Sequence, residues 1–269
     1  MLFRIRFRHM VELKSPKIAI PVVLFAGLVW SFGPLVVRYM DNPQLVPWQY
    51  IFGRGLTVFI LLNLYLFFEE GKNFYKNYFK IGISGLIGGS GLGVAMISFI
   101  YSITNTSAAV TLLCLAAMPF FTALLAFLFL KEKISLNVWI SIIIATLGIL
   151  IMALDNTGEK SLIGFVFGLT ASIGFSIFSV SLRWRKETPK FTTVAFAGFF
   201  CVAFSSIAII TNDLVFFSTS YNGTLFSLHG TLVCFGLILY SIGSKAIPAA
   251  ELTLLSLTEV IGGIFWVWL

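Results

Sequence analysis

Glu259 is an acidic residue inside an apolar run, AAELTLLSLTEVIGGIFWVWL from Ala249 to Leu269, where it offers the chemistry of a carboxylate: holding a proton or the cationic part of a solute. At the centre of a helix in lipid an acidic side chain costs roughly 2.5 to 3.5 kcal/mol, so such groups face a cavity or a partner, or carry a proton. At 1.5 Å per residue Glu259 stands ~16 Å past the inner end of its run, close to midplane. The alternative is a neutral glutamic acid bonded to a neighbouring helix. Thr258 beside it supplies a hydroxyl. Arg54 lies ~10 Å deep in the second apolar run, near the same level. It can pair with Glu259, or instead snorkel or satisfy carbonyls within its own half. Trp30, Tyr101 and Tyr240 can stack on a ligand and, with Ser31, orient it in a mostly apolar pocket. For the two tyrosines, at run ends, an interfacial aromatic belt is an equally good account.

Two helix interruptions accompany these residues. Pro119 in the fourth run and Gly262-Gly263 in the ninth fall at nearly matching places, and each weakens a helix just past its middle. Paired interruptions are a pointer to a binding site, although proline and glycine are ordinary in membrane helices. The glycines from Gly82 to Gly93 lack the strand that a nucleotide-binding loop requires, and they read as overlapping GxxxG packing units. GxSG occurs at Ser84 and at Ser90, and His229 begins the eighth run, so a rhomboid-like intramembrane serine protease is the rival class. By rise per residue these serines miss His229 by ~8 Å or more, too far for a nucleophile and its base. Cys114, Cys201 and Cys234 lie in apolar runs without ligand spacing. No metal and no cofactor is expected beyond coupling to a proton, and the chain is not expected to be an enzyme.

The elements that position these groups are nine apolar runs, at 18 to 38, 47 to 68, 79 to 101, 107 to 130, 135 to 154, 161 to 183, 191 to 211, 225 to 244 and 249 to 269. Runs of about twenty residues cross a ~30 Å hydrocarbon core. With 58% hydrophobic and 11% charged residues, the chain has about half the charge a soluble surface needs. Its mean hydropathy of +0.98 agrees. The net charge of +7 resides in short segments between runs, which indicates membrane orientation rather than a nucleic-acid partner. With the basic tail 1 to 17 inside, fifteen of the eighteen Lys and Arg fall on the inner side, two (Arg38 and Lys160) on the outer, and Arg54 within a helix. The expected location is the cell membrane, inner or plasma, with the N-terminus cytoplasmic.

The chain also repeats itself. Thr-Leu-Leu-x-Leu at Thr111 recurs at Thr253, 142 positions later, while Gly27, Ser31 and Gly33 recur as Gly168, Ser172 and Gly174 at an offset of 141. Tyr101-Ser102-Ile103 recurs as Tyr240-Ser241-Ile242 at 139. Colinear matches at nearly constant spacing argue for two units, 18 to 154 and 160 to 269, each built on five helices. An odd helix number inverts the second unit, so an inverted repeat with its site between the halves is expected. The counterpart of the fifth run is absent, and the expectation is an all-α membrane protein with a tenth helix missing from a fragment. At offset 142 Glu259 corresponds to Ala117, so the halves differ chemically where the site should be.

These residues resemble the drug/metabolite transporter superfamily in its EamA-type, ten-helix branch. The resemblance is carried by Trp30, Ser31, Gly33 and Pro34 in the first run, Arg54 in the second, and the block SAAVTLLCLAAMPFFTALLAFLFLKEKIS from Ser107 with its second-half echo. It implies a secondary transporter working by alternating access, often an exporter of amino acids, metabolites or drug-like solutes, with a cavity between the halves. The implied partners are a small-molecule solute and the lipid bilayer, and a homodimer is compatible with the plan. A non-transporting membrane scaffold subunit is the remaining class.

Overall fold

A computed structural model describes residues 15–133, 135–137, 139–140, 143–144, 147, 151, 159–185 and 187–269. Most of the expected tail 1 to 17, much of the fifth run 135 to 154 and the residues leading into the second unit lie outside the described residues. Among the described residues eight helices are long and apolar enough to cross a membrane, and there are no strands. The all-α membrane fold expected from hydropathy is therefore the one observed.

The spans are α1 in two segments, Pro16–Trp30 and Gly33–Arg38; α2, Pro47–Glu70; α3, Gly82–Asn105; and α4, Ala108–Leu115 and Met118–Leu125, ending in a π-helical turn Ala126–Leu130. After them come α5, Glu159–Trp184; α6, Lys190–Thr211; α7, Ser220–Gly243; and α8, Ala249–Ser256 and Thr258–Trp268. Most boundaries agree with the hydropathy reading within a few residues. The exception is α7, which starts at Ser220 rather than 225 because the Thr219 side chain accepts a 3.2 Å hydrogen bond from Asn222 N and so caps a polar first turn.

Helix pairing has an internal symmetry. Exchanging α1–α4 with α5–α8 in order maps the α3–α5 pair onto α7–α1, α3–α6 onto α7–α2, and α4–α5 onto α8–α1; the α2–α6 and α4–α8 pairs map onto themselves. At the α2–α6 crossing the relation is local, since a Cβ on Gly55 would lie 3.2 Å from Gly198 O and one on Gly198 3.0 Å from Gly55 O. The sequence repeats become swapped contacts: Gly27 of α1 abuts Ser256 of α8, while Gly168 of α5 abuts Cys114 of α4. The α3 glycines serve packing, with Gly85, Gly89 and Gly93 against α6, and Gly88 and Gly91 against α5.

Three spans are broken. Pro119 and Pro34 lack an N–H and head the second segments of α4 and α1, where they withdraw one helical hydrogen bond each. Helix α8 breaks at Leu257 without a proline. There, Ser256 Oγ donates back to Thr253 O at 2.8 Å and Thr258 Oγ1 to Leu255 O at 3.2 Å, a competition with backbone bonding that bends helices. The breaks at Ala116-Ala117 and at Leu257 fall at matching positions of the repeat. Gly262 and Gly263, expected to interrupt the ninth run, lie instead inside a continuous helix. They are packing positions, since a Cβ on Gly262 would meet Ser31 Oγ at 2.6 Å and one on Gly263 would meet Leu112 at 2.8 Å.

Candidate functional site

Helix α2 shows how a charge reaches the interior. Its buried residues Tyr50, Ile51, Arg54, Gly55, Val58, Leu62 and Leu66 recur at helical spacing, and Arg54 occupies the stripe where an apolar side chain is the rule. It is 3% exposed. Arg54 Nη2 donates to Met96 O of α3 at 2.6 Å and the guanidinium carbon lies 5.7 Å from the centre of the Phe99 ring. Nε, also buried, has no hydrogen-bond partner. A buried guanidinium N–H left unpaired costs free energy that a ligand or water acceptor would recover.

Arg54 opens on a cavity of about 70 Å3 that Glu259 also lines, together with His229, Trp30, Phe99 and Phe175. Leu92, Met96, Leu115, Met118, Val233 and Leu237 are among the apolar groups completing its wall. That is room for a small cluster of waters. Glu259 is half-buried and enters from α8, in the first turn after the break at Leu257. Arg54 and Glu259 thus share one cavity without closing to an ion pair within 4.0 Å. Trp30 closes the wall from the end of the first segment of α1, with Nε1 donating to Val233 O at 3.3 Å and its ring edge-on to Phe175 at 5.6 Å.

The remaining candidates take other places. Thr258 Oγ1 donates to Leu24 O at 3.1 Å, and so ties α8 to α1. Ser31 Oγ donates to Leu28 O at 2.6 Å and accepts from Trp266 Nε1 at 3.0 Å. Tyr240 is fully buried behind Trp30, its hydroxyl 2.6 Å from Ser179 Oγ, so it is neither a belt residue nor part of the cavity lining. Tyr101 packs edge-on to Trp48 at 5.0 Å, also away from the lining. Pro119 is one residue past the lining residue Met118 and shapes the wall through the break. Of the expected site residues the structure brings Glu259, Arg54 and Trp30 together.

His229 is the cavity residue that sequence reasoning missed. With α7 starting at Ser220, it lies nine residues along the helix, ~13 Å deep, rather than at the surface. Its Nδ1 is hydrogen-bonded to Tyr50 Oη, and Tyr50 stacks on Phe226 with ring centres 5.0 Å apart. The signal was the Thr219 cap, which sets the helical face shared by Phe226, His229, Leu237 and Tyr240. The serines weighed against it are elsewhere: Ser84 Oγ donates to Ser181 O at 2.7 Å, and Ser90 borders an apolar groove between α3 and α5 with Leu86, Ile87 and Ile173. The Tyr101/Tyr240 offset sets His229 against Ser90, the Thr111/Thr253 offset sets Glu259 against Ala117, and the facing Gly55 and Gly198 set Arg54 against Ala197, so none of the three ionisable lining residues has an ionisable counterpart in the other half.

Comparison with known proteins gives this geometry its context. The family model described as EamA-like transporter family matches residues 17–154, just over half of the chain. The chain belongs to the EamA-like transporter family. It is 26% identical over 203 residues to an "Uncharacterized transporter" of Helicobacter pylori, a match covering 74% of this chain and 66% of that protein. A protein of the same description from Clostridium kluyveri is 28% identical over 147 residues, covering 51% of this chain and 46% of its own length. The chain thus spans just under two thirds of the length of its Helicobacter relative. A solved structure described only as "Crystal structure of protein" superposes with a TM-score of 0.67 over 94% of this chain and 87% of that one, at 16% identity, a likeness of fold.

Proposed function

We propose that this chain forms a secondary transporter that moves a small amphipathic solute across the cell membrane by alternating access, outward by the family's habit. The observation that carries the reading is that Arg54 of α2 and Glu259 of α8 line one largely apolar cavity together with His229. Ionisable groups at membrane depth mark solute or proton paths, because burying them without such a role is expensive. Arg54 would hold an anionic or carbonyl group through its unpaired Nε, Glu259 a cationic group or a proton, and Trp30, Phe99 and Phe175 the apolar body. The Lys and Arg bias of the loops supports a cytoplasmic N-terminus.

The test is solute flux in vesicles containing the full-length protein. Glu259→Ala is expected to abolish flux, and unaffected flux would remove Glu259 from the path. Collapsing the proton gradient is expected to slow the same flux; transport that continues unchanged would assign Glu259 to the solute instead.

A further inference from the structure

The end of the molecule carrying Lys131, Lys133, Arg185 and Lys190 contains a charged cluster that the solute cavity does not use. Glu132, directly after the π-helical turn of α4, accepts from Arg183 Nε at 2.7 Å through Oε1 and from Ala249 N at 3.2 Å through Oε2. Arg183, at the end of α5, donates through Nη1 to Ile247 O at 2.6 Å and to Ser244 O at 3.2 Å. Lys190, at the start of α6, reaches Ser244 Oγ at 2.7 Å and Ser241 O at 3.3 Å. Three charged side chains from α4, α5 and α6 therefore hold the short connection between α7 and α8.

Glu132 is the member that crosses between units, and its carboxylate meets the first amide of α8, an N–H that no helical carbonyl can accept. Ten residues further along α8, beyond the Leu257 break, is Glu259. The opposite end of α7 is tied to the first unit more weakly, by two neutral hydrogen bonds of 3.0 Å: Asp41 N donates to Asn222 Oδ1 and Asn222 Nδ2 to Asp41 O. Charge-assisted hydrogen bonds are roughly twice as strong as neutral ones, so the α7–α8 connection is tied to the first unit, through Glu132 on Arg183 and Ala249 N, more strongly than the opposite end of α7 is.

We propose that the Glu132–Arg183 pair is the gate on the basic face: it must open for the cavity to communicate with that side, and its opening frees the α7–α8 connection and the first segment of α8. The proposal rests on the transporter reading. Both oxygens of Glu132 are engaged, and the Glu132 and Arg183 side chains are 22% and 26% exposed, so the contact is reachable by water and can dissociate without stranding a buried charge.

The experiment uses the full-length protein in sealed vesicles of known orientation, with Val233→Cys in the cavity wall as a reporter for a membrane-impermeant maleimide. Labelling of Cys114, Cys201 and Cys234, all buried, is subtracted from protein lacking the reporter. In the parent, the reporter should react from either face. Glu132→Gln, which keeps an acceptor for Ala249 N but removes the charge, is expected to raise the rate from the basic face about fivefold and lower it from the other face. Asn222→Ala should do the reverse, and this variant decides the matter where Glu132→Gln does not survive purification. A merely structural role would change both rates in one direction or neither, and either result overturns the gate while leaving the transporter reading intact. A parent labelled from one face alone overturns both.

Discussion

Arg54 and Glu259 face the same cavity from α2 and α8 and do not close to an ion pair across it. The arrangement keeps both groups available to a third party, because a closed pair would already have satisfied them. Each nevertheless offsets part of the other's cost of burial. Arg54→Met and Glu259→Gln should each change unfolding stability in detergent, and the double variant should depart from additivity by about 1 kcal/mol. Strict additivity of the two changes in a denaturant series would mean that the charges do not sense one another.

Helix α4 is broken just where it borders the cavity, and serines of α5 cover the carbonyls on either side of the break. Ser172 Oγ donates to Cys114 O at 2.6 Å and Ser176 Oγ to Met118 O at 3.1 Å. Ser172→Ala and Ser176→Ala should each cost about 1 kcal/mol, with flux reduced because Leu115 and Met118 line the cavity. Ser90→Ala, on the apolar groove between α3 and α5, serves as the control and should stay within about 0.5 kcal/mol. Equal effects at the three serines would detach the cost from the helix break.

Tyr50 fixes the His229 ring through Nδ1, and both side chains are buried. Tyr50→Phe keeps the ring that stacks on Phe226 but removes the hydroxyl, leaving a buried imidazole nitrogen unsatisfied. A loss of about 1 to 3 kcal/mol in unfolding stability is expected, with weaker solute binding where His229 belongs to the solute path. A variant as stable as the parent would show that water replaces the hydroxyl.

The spans were legible because apolar runs of membrane length announce themselves, and Glu259 and Arg54 because charge inside such a run is rare and has few explanations. Their shared cavity followed from depth, which rise per residue supplies. What failed depended on azimuth and on caps. Ser31, Thr258, Tyr101 and Tyr240 do not line the cavity, and linear spacing in runs apolar all round does not fix which side of a helix faces one. The depth of His229 is not legible in hydropathy, because the first turn of α7 is polar and the Thr219 cap that makes it helical carries no hydropathy. Glycine weakens helices on average, which makes Gly262-Gly263 read as an interruption, whereas here tight contact with Ser31 and Leu112 requires the missing side chains.

The swapped contacts of the repeat give the sharpest test of how α8 is held. A Cβ on Gly27 would stand 2.0 Å from Thr258 Oγ1 and 2.9 Å from Ser256 O, and one on the matching Gly168 would stand 2.7 Å from Cys114 Cβ. Gly27→Ala should therefore push α8 away from α1 at the residue preceding Glu259, at a cost of about 1 to 3 kcal/mol, the range for overpacking a tight contact. Adding Thr258→Ala removes the first obstacle but not the backbone carbonyl, so the double variant should recover part of the loss and no more. Gly168→Ala should destabilise comparably while Thr258→Ala leaves its loss unchanged, since its obstacle is on α4. Unfolding midpoints in detergent of the two single glycine variants and the two doubles, each double read against Thr258→Ala alone because that change also removes the bond to Leu24 O, check all of this. Recovery of Gly168→Ala by Thr258→Ala would show that the two crossings are not the independent contacts that the repeat makes them.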